Sequence, residues 1–100
     1  MFEQENRYVS RQVNEEVPMQ LQILMWSMID SLKEKKELDY IQIFRLKAKG
    51  DRVLIEHEQE VPKHRELYEL EKTKFSIEYD MKIYVIDSIA YSTMIFAEEY

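Results

Sequence analysis

The residues with the clearest capacity for chemistry lie in the short stretch 53–61, which reads VLIEHEQEV. His57, one of two histidines in the chain, stands there between Glu56 and Glu58. An imidazole beside carboxylates could bind a divalent metal ion or act in acid–base catalysis. Side chains alternate between the two faces of a strand, however, so His57 would point away from both glutamates and lie among apolar residues. The pattern therefore predicts a hydrogen-bonded structural histidine.

The opposite face of the same predicted strand carries the row Glu56, Glu58 and Glu60. Three neighbouring carboxylates repel one another unless they are solvated or matched by cations. Arg45 and Lys47 are candidates to pair with them across a hairpin turn, in an arrangement that stabilises a sheet only slightly. The functional alternative is an acidic stripe that binds a basic partner.

No other motif indicates catalysis. The chain has no cysteine, which excludes disulfides and thiolate metal sites, and its single glycine excludes a glycine-rich phosphate-binding loop. His64, the second histidine, is expected on an element unrelated to that of His57, so we expect no metal site. Ser92 and Thr93 have no assigned base. We therefore predict no catalytic residue, no metal, no cofactor and no enzymatic activity.

The charge of the chain argues against a generic nucleic-acid binder. Residues 1–50 hold 8 basic and 8 acidic residues, whereas residues 51–100 hold 6 and 12, which gives the net charge of −6. Binding to the phosphate backbone of duplex DNA needs a basic surface, so we expect none. Seven tyrosines could form a stacking platform for single strands, but the missing basic groove weighs against it. An acidic surface would suit a basic partner, such as a DNA-binding protein.

Neither secretion nor membrane insertion is indicated. The first ten residues contain no apolar segment of a secretory signal, and the longest apolar stretch, ILMWSMI, is too short to cross a bilayer. We expect a cytoplasmic protein.

Residues 18–36 predict the one long helix of the chain. Apolar residues recur at steps of three and four and form one broad stripe, which would pack across a sheet. Part of that surface, around Met19 and Trp26, could instead bind a partner or a second copy of the chain, because methionine and tryptophan are favoured in interfaces.

The remaining pattern predicts strands over 7–13, 39–48, 52–61, 75–87 and 91–97. Two strands break the simple alternation. In the strand over 39–48, Ile41 and Ile43 make the second face apolar as well, as in a central strand with a bulge. In the strand over 75–87, Tyr84 and Ile86 are apolar residues on an otherwise polar face.

The elements combine into one domain over residues 1–100. The fold class is α+β, with one main amphipathic helix packed on a mainly antiparallel sheet of about five strands, whose other face could be open to a partner. Residues 63–75 fit a short helix and an irregular edge equally well.

Several segments together resemble a known family. YVSRQVNEEVPMQLQILMWSMID, LDYIQIF, HEQEVP, KIYVID and YSTMIFAEEY occur in this order. They resemble domain-of-unknown-function family 960, small uncharacterised proteins of staphylococci and related Firmicutes. The resemblance covers residues 7–100. It supplies no catalytic residues, but it implies a bacterial cytoplasmic context and, since relatives resemble accessory genes of phages and mobile cassettes, a regulator of a DNA-handling protein.

Two functional hypotheses follow. The first is a non-enzymatic interaction module that binds another protein through a sheet face or through the Trp26 side of the helix. The second is an acidic inhibitor, encoded on a phage or mobile element, that mimics nucleic-acid charge and occupies a DNA-binding enzyme. The candidate partner-binding residues are Glu56, Glu58, Glu60, Trp26 and Met19.

Overall fold

The structure is a computed structural model that describes residues 1–71 and 76–100. It contains two helices and six strands in this part of the chain, in the order β1 (Arg7–Val9), α1 (Arg11–Glu16), α2 (Met19–Lys33), β2 (Ile41–Lys49), β3 (Arg52–Gln59), β4 (His64–Glu71), β5 (Met81–Asp87) and β6 (Ser92–Phe96). Short 3-10 turns precede β1 and follow β6.

The six strands form one mixed sheet in the order β1-β6-β5-β2-β3-β4. All neighbours pair antiparallel except β1 and β6, which are parallel. The α+β class with one main helix is confirmed. The prediction of about five strands, mainly antiparallel, is close but not right in detail, because β4 adds a strand and β1 pairs parallel.

The core lies on one face of this sheet. Every buried strand residue in the described part points to that face, including Phe44, Ile55, Ile83 and Met94. Helix α2 covers it with a buried stripe that consists of Leu21, Gln22, Met25, Met28, Ile29 and Leu32. The helix therefore buries its period-3.6 face against alternate residues of the strands.

The predicted strand over 7–13 is wrong beyond Val9. Ser10 caps helix α1, and its Oγ accepts a hydrogen bond from the Val13 backbone N–H at 3.1 Å. A capping serine satisfies one of the free N–H groups of a first turn, which favours a helix here over a longer strand. The long helix predicted over 18–36 forms α2, which begins at Met19 with Pro18 at its N-cap position and ends at Lys33.

The predicted strand over 75–87 is a strand only from Met81 to Asp87. Residues 76–80 have no regular structure, and Phe75 lies outside the described residues. The segment 63–75, for which a helix and an irregular edge were open, contains strand β4 up to Glu71. An unpaired edge of β3 provides the backbone groups that make this segment a strand.

Candidate partner-binding surface

The face of the sheet opposite α2 has no buried side chain in the described part of the chain. Cross-strand pairing aligns its residues in rows that run across several strands. Two adjacent rows contain no charge, one across β1, β6, β5 and β2 and the other across β6, β5 and β2. These rows, which we call the apolar block, consist of Tyr8, Thr93, Ile86 and Ile41 in the first and Ile95, Tyr84 and Ile43 in the second.

Two further tyrosines extend the apolar block at its edges. Tyr91 packs edge-on against Tyr8, with ring centroids 5.9 Å apart, and Tyr100 packs edge-on against Tyr84 at 5.6 Å. Tyr8 is 57% exposed and Tyr100 is 71% exposed.

Between β5 and β6, Ile89 is 96% exposed and has a backbone φ of +74°. A β-branched residue rarely adopts this left-handed conformation.

The apolar exceptions in the sequence pattern are the residues that build this block. Ile41 and Ile43 on β2, and Tyr84 and Ile86 on β5, all belong to it. The interpretation of the first pair as part of a central strand is right, because β2 lies between β3 and β5. The predicted bulge is wrong, because β2 pairs with both neighbours in continuous register. Apolar residues on both faces of a strand are the signal that could have predicted the block.

Beside the apolar block lies a charged group formed by Arg45, Glu56, Glu58 and Arg65. One Nη of Arg45 donates to a carboxylate oxygen of Glu56 at 2.8 Å and of Glu58 at 2.7 Å. Arg65 on β4 donates to the second oxygen of Glu56 at 2.6 Å. The Arg65 guanidinium, assisted by Arg45, holds the pKa of Glu56 below its ordinary value.

The predicted acidic row thus divides into two parts. Glu56 and Glu58 lie on one face and form ion pairs with Arg45, as the sequence predicts. Lys47, the other predicted partner, lies opposite Leu54 instead. Glu60 does not continue the row, because β3 ends at Gln59 and Glu60 is exposed in the following turn.

The helix candidates lie on the other side of the molecule. Met19 is 57% exposed on the outer face of α2, whereas Trp26 is only half-buried and has an intramolecular partner. The guanidinium of Arg7 stacks over its ring, 4.8 Å from the centroid, and also forms an ion pair with Asp30. A cation over an indole face is a favourable contact, so part of the Trp26 surface is used within the chain.

His57 lies in the packed interior, on the helix-facing side of the sheet. It is fully buried, stacks on Phe44 with ring centroids 4.4 Å apart, and its Nε2 is 2.7 Å from Oε1 of Gln42. Burial lowers the pKa of His57 to about 4, with a smaller contribution from the charge of His64. The structure thus separates His57 from Glu56 and Glu58, as the alternation predicts.

In the described ranges, no helix has the length and apolar character required to cross a membrane.

Comparison with known proteins identifies the family but no activity. No curated protein matches the chain. A crystal structure of a protein of unknown function from Enterococcus faecalis is similar, with a TM-score of 0.84 and 25% sequence identity over 100% of this chain and 98% of that one. The family model described as "Staphylococcal protein of unknown function (DUF960)" matches residues 6–99. The chain therefore belongs to the DUF960 family.

Proposed function

We propose that the protein is a non-enzymatic, cytoplasmic protein-interaction module whose apolar block binds a partner protein. The observation that carries this proposal is the pair of uncharged rows, one across four strands and one across three, over which none of the described residues forms a second layer. A sheet face with contiguous apolar side chains is unfavourable in water unless something covers it. Tyrosine enrichment and depletion of charge are also typical of interface centres.

The chemistry of the partner follows from the charge of the molecule. The chain carries a net charge of −6, so two copies repel each other, whereas a protein with a basic rim is attracted. We therefore propose that the partner is a different protein, which presents an apolar centre flanked by lysine or arginine. A second copy of the chain is the competing occupant.

The turn at Ile89 supports this surface. A nearly fully exposed β-branched side chain in a left-handed conformation costs stability, and such strain is tolerated mainly at functional positions. Ile89 stands at the tip of the β5–β6 connection, two residues before Tyr91, and could anchor the partner beside the block.

The acidic-inhibitor hypothesis has less support. A mimic of DNA needs carboxylates that are free to bind a basic groove, but Glu56 and Glu58 are bound to arginines within the chain. Only Glu60 of the predicted row stands apart from this group.

The test begins with photo-crosslinking in a bacterium that carries the gene. A photoreactive amino acid placed at Tyr91 should capture a defined partner, and the same group placed at Met19 should not. The partner is then purified, and its affinity is measured against Tyr8→Lys and Met19→Lys, which alter two side chains that are each 57% exposed. We expect Tyr8→Lys to weaken binding at least tenfold and Met19→Lys to leave it unchanged.

Three results would contradict the proposal. Loss of binding in Met19→Lys alone would assign the interface to the helix. Concentration-dependent dimerisation in sedimentation, abolished by Tyr8→Lys, would make a second copy the occupant. Binding that survives Tyr8→Lys but is lost in Glu58→Gln and at raised salt would support the acidic inhibitor.

A further inference from the structure

Three side chains that could bind a metal ion meet between strands β3 and β4. A ring nitrogen of His57, a ring nitrogen of His64 and a carboxylate oxygen of Glu66 all lie within 4.8 Å of one another. Strand register explains the cluster, because His57 pairs directly with Glu66 and His64 pairs with Gln59, two residues along on the same face. The expectation that the two histidines lie on unrelated elements is therefore wrong.

The sequence alone could not predict that these three side chains lie close together. It requires that residues 64–71 form a strand, that this strand pairs with β3 and that the register aligns His57 with Glu66. A shift of one residue would turn both His64 and Glu66 to the opposite face of the sheet.

A chain of buried hydrogen bonds fixes the protonation of His57, beginning at Gln59. The side-chain amide nitrogen of Gln59 faces two backbone carbonyls, of Glu37 at 3.1 Å and of Pro62 at 2.7 Å. Its Oε1 accepts from the backbone N–H of Asp39 at 2.9 Å. Carbonyls only accept and an N–H only donates, so the amide of Gln59 has one possible orientation.

The same reasoning passes through Gln42 to the imidazole. Nε2 of Gln42 donates to the Asp39 carbonyl at 2.8 Å and to Oε1 of Gln59 at 2.7 Å. Oε1 of Gln42 must then face His57, whose Nε2 lies 2.7 Å away and has to donate a proton to it. In the neutral ring, Nδ1 is then unprotonated and carries a lone pair that can accept a hydrogen bond or bind a metal ion.

That lone pair has no hydrogen-bond donor among the described residues, although His57 is fully buried. Nε2 of His64 is likewise buried without a hydrogen bond and lies 3.5 Å from a carboxylate oxygen of Glu66. Buried nitrogens without partners are uncommon and costly, and two of them beside a carboxylate indicate a ligand.

We propose that Nδ1 of His57, Nε2 of His64 and the carboxylate of Glu66 bind one divalent transition-metal ion, with zinc as the best fit. Two imidazoles and a carboxylate suit zinc, cobalt, nickel or copper, whereas magnesium and calcium prefer oxygen ligands alone. Ligands about 2 Å from a tetrahedral ion lie about 3.4 Å from one another, close to the 3.5 Å between His64 and Glu66. Water fills the fourth position.

The surroundings match those of protein metal sites in one further respect. A metal-binding histidine commonly donates its other ring N–H to a fixed acceptor, which orients the ring. Gln42 provides this acceptor, and Gln59 holds Gln42. The bound ion would join β4, an edge strand, to the interior strand β3.

The test uses untagged protein, because a histidine tag would bind the same ions. Protein stripped with EDTA and dialysed is titrated with Zn²⁺ in a calorimeter, and we expect one ion per chain. We expect His64→Gln and Glu66→Gln to lower the affinity more than about tenfold. Both side chains lie on the edge strand and are partly exposed, so these variants should fold.

Two additional measurements make the result specific. Glu69→Gln changes a carboxylate on the opposite face of β4 and should bind zinc as the unmodified chain does. Zinc should also slow amide hydrogen exchange in β4 of the unmodified chain but not of Glu66→Gln. The proposal is overturned if the stripped chain binds no zinc at about 1 mM, or if stoichiometric binding persists in both ligand variants.

Discussion

At the scale of single residues, the buried polar side chains are the most constrained part of the molecule. Gln59 and Gln42 are fully buried, yet each amide is satisfied from both ends. A buried amide is tolerated only when its donors and acceptors have such partners. Removing one side chain of the network leaves polar groups of the others buried without a hydrogen bond. The network also connects the chain before β2 to the turn after β3, because Gln59 binds Glu37 and Pro62.

We expect Gln59→Met to be among the most damaging substitutions in the chain. It preserves the length of the side chain but leaves two carbonyls and two N–H groups without their partner, at about 1–3 kcal/mol for each group that cannot reach water. Chemical denaturation should show a loss of at least about 3 kcal/mol. Gln20→Met, on the exposed side of α2, is the control and should change stability by less than about 0.5 kcal/mol. A loss of similar size in both variants would contradict this account.

The low pKa of His57 predicts how stability depends on pH in the metal-free protein. The pKa is about 4 in the folded chain and 6.5 ordinarily, so the unfolded chain binds a proton first as the pH falls. Stability should therefore decline between about pH 6.5 and pH 4 and level off below it, by about 3 kcal/mol in all. Denaturation in EDTA at several pH values measures the slope.

His57→Gln provides the comparison for this slope. It removes the titrating ring but retains an N–H group that can donate to Gln42. The decline between pH 6.5 and pH 4 should become shallower in the variant. An equally steep decline would show that protonation of the His57 ring does not cause it.

At the scale of elements, the turn between β5 and β6 combines strain with exposure. Ile89 has a φ of +74°, which costs a β-branched residue about 1–2 kcal/mol, and its side chain is 96% exposed. We expect Ile89→Gly to raise the free energy of unfolding by about 0.5–1 kcal/mol, after the greater freedom of glycine in the unfolded chain is subtracted. If Ile89 contacts the partner, the same variant should bind it more weakly.

Ala90→Gly is the matched control in this turn. Ala90 has no positive φ, so glycine only adds freedom to the unfolded chain and should lower stability by about 0.5–1 kcal/mol. Thermal denaturation of the two variants should give shifts of opposite sign. Shifts of the same sign would mean that the conformation of Ile89 carries no strain.

Elements with strong periodicity were predictable, and elements that depend on a neighbour were not. The stripe of α2 and the hairpin turn at Gly50, with its φ of +61°, follow from local pattern and local chemistry. β4 does not, because its residues become a strand only where β3 offers an edge. The pairing of Glu56 with Arg45 could be predicted across one turn, whereas its pairing with Arg65 required β4.

At the scale of the whole molecule, the N-terminal residues close the core, and no sequence signal indicated this. Phe2 is 1% exposed, and its backbone N–H donates to Asp87 at the end of β5, at 3.1 Å. Lys33 at the end of α2 donates to the Met1 carbonyl at 2.8 Å. A single aromatic residue in a polar stretch has no periodicity, so only the three-dimensional packing shows that it belongs to the core.

We expect Phe2→Ala to destabilise the whole domain rather than only its first residues. Truncation of a buried phenylalanine costs about 3–5 kcal/mol, a large share of the roughly 5–15 kcal/mol that stabilises a domain of this size. Phe2→Leu should cost less than about 1.5 kcal/mol because it restores most of the lost volume. Glu3→Ala, next to it but exposed, should have little effect. Urea denaturation followed by Trp26 fluorescence measures all three, and a Phe2→Ala variant as stable as Glu3→Ala would show that the N-terminal segment is not part of the core.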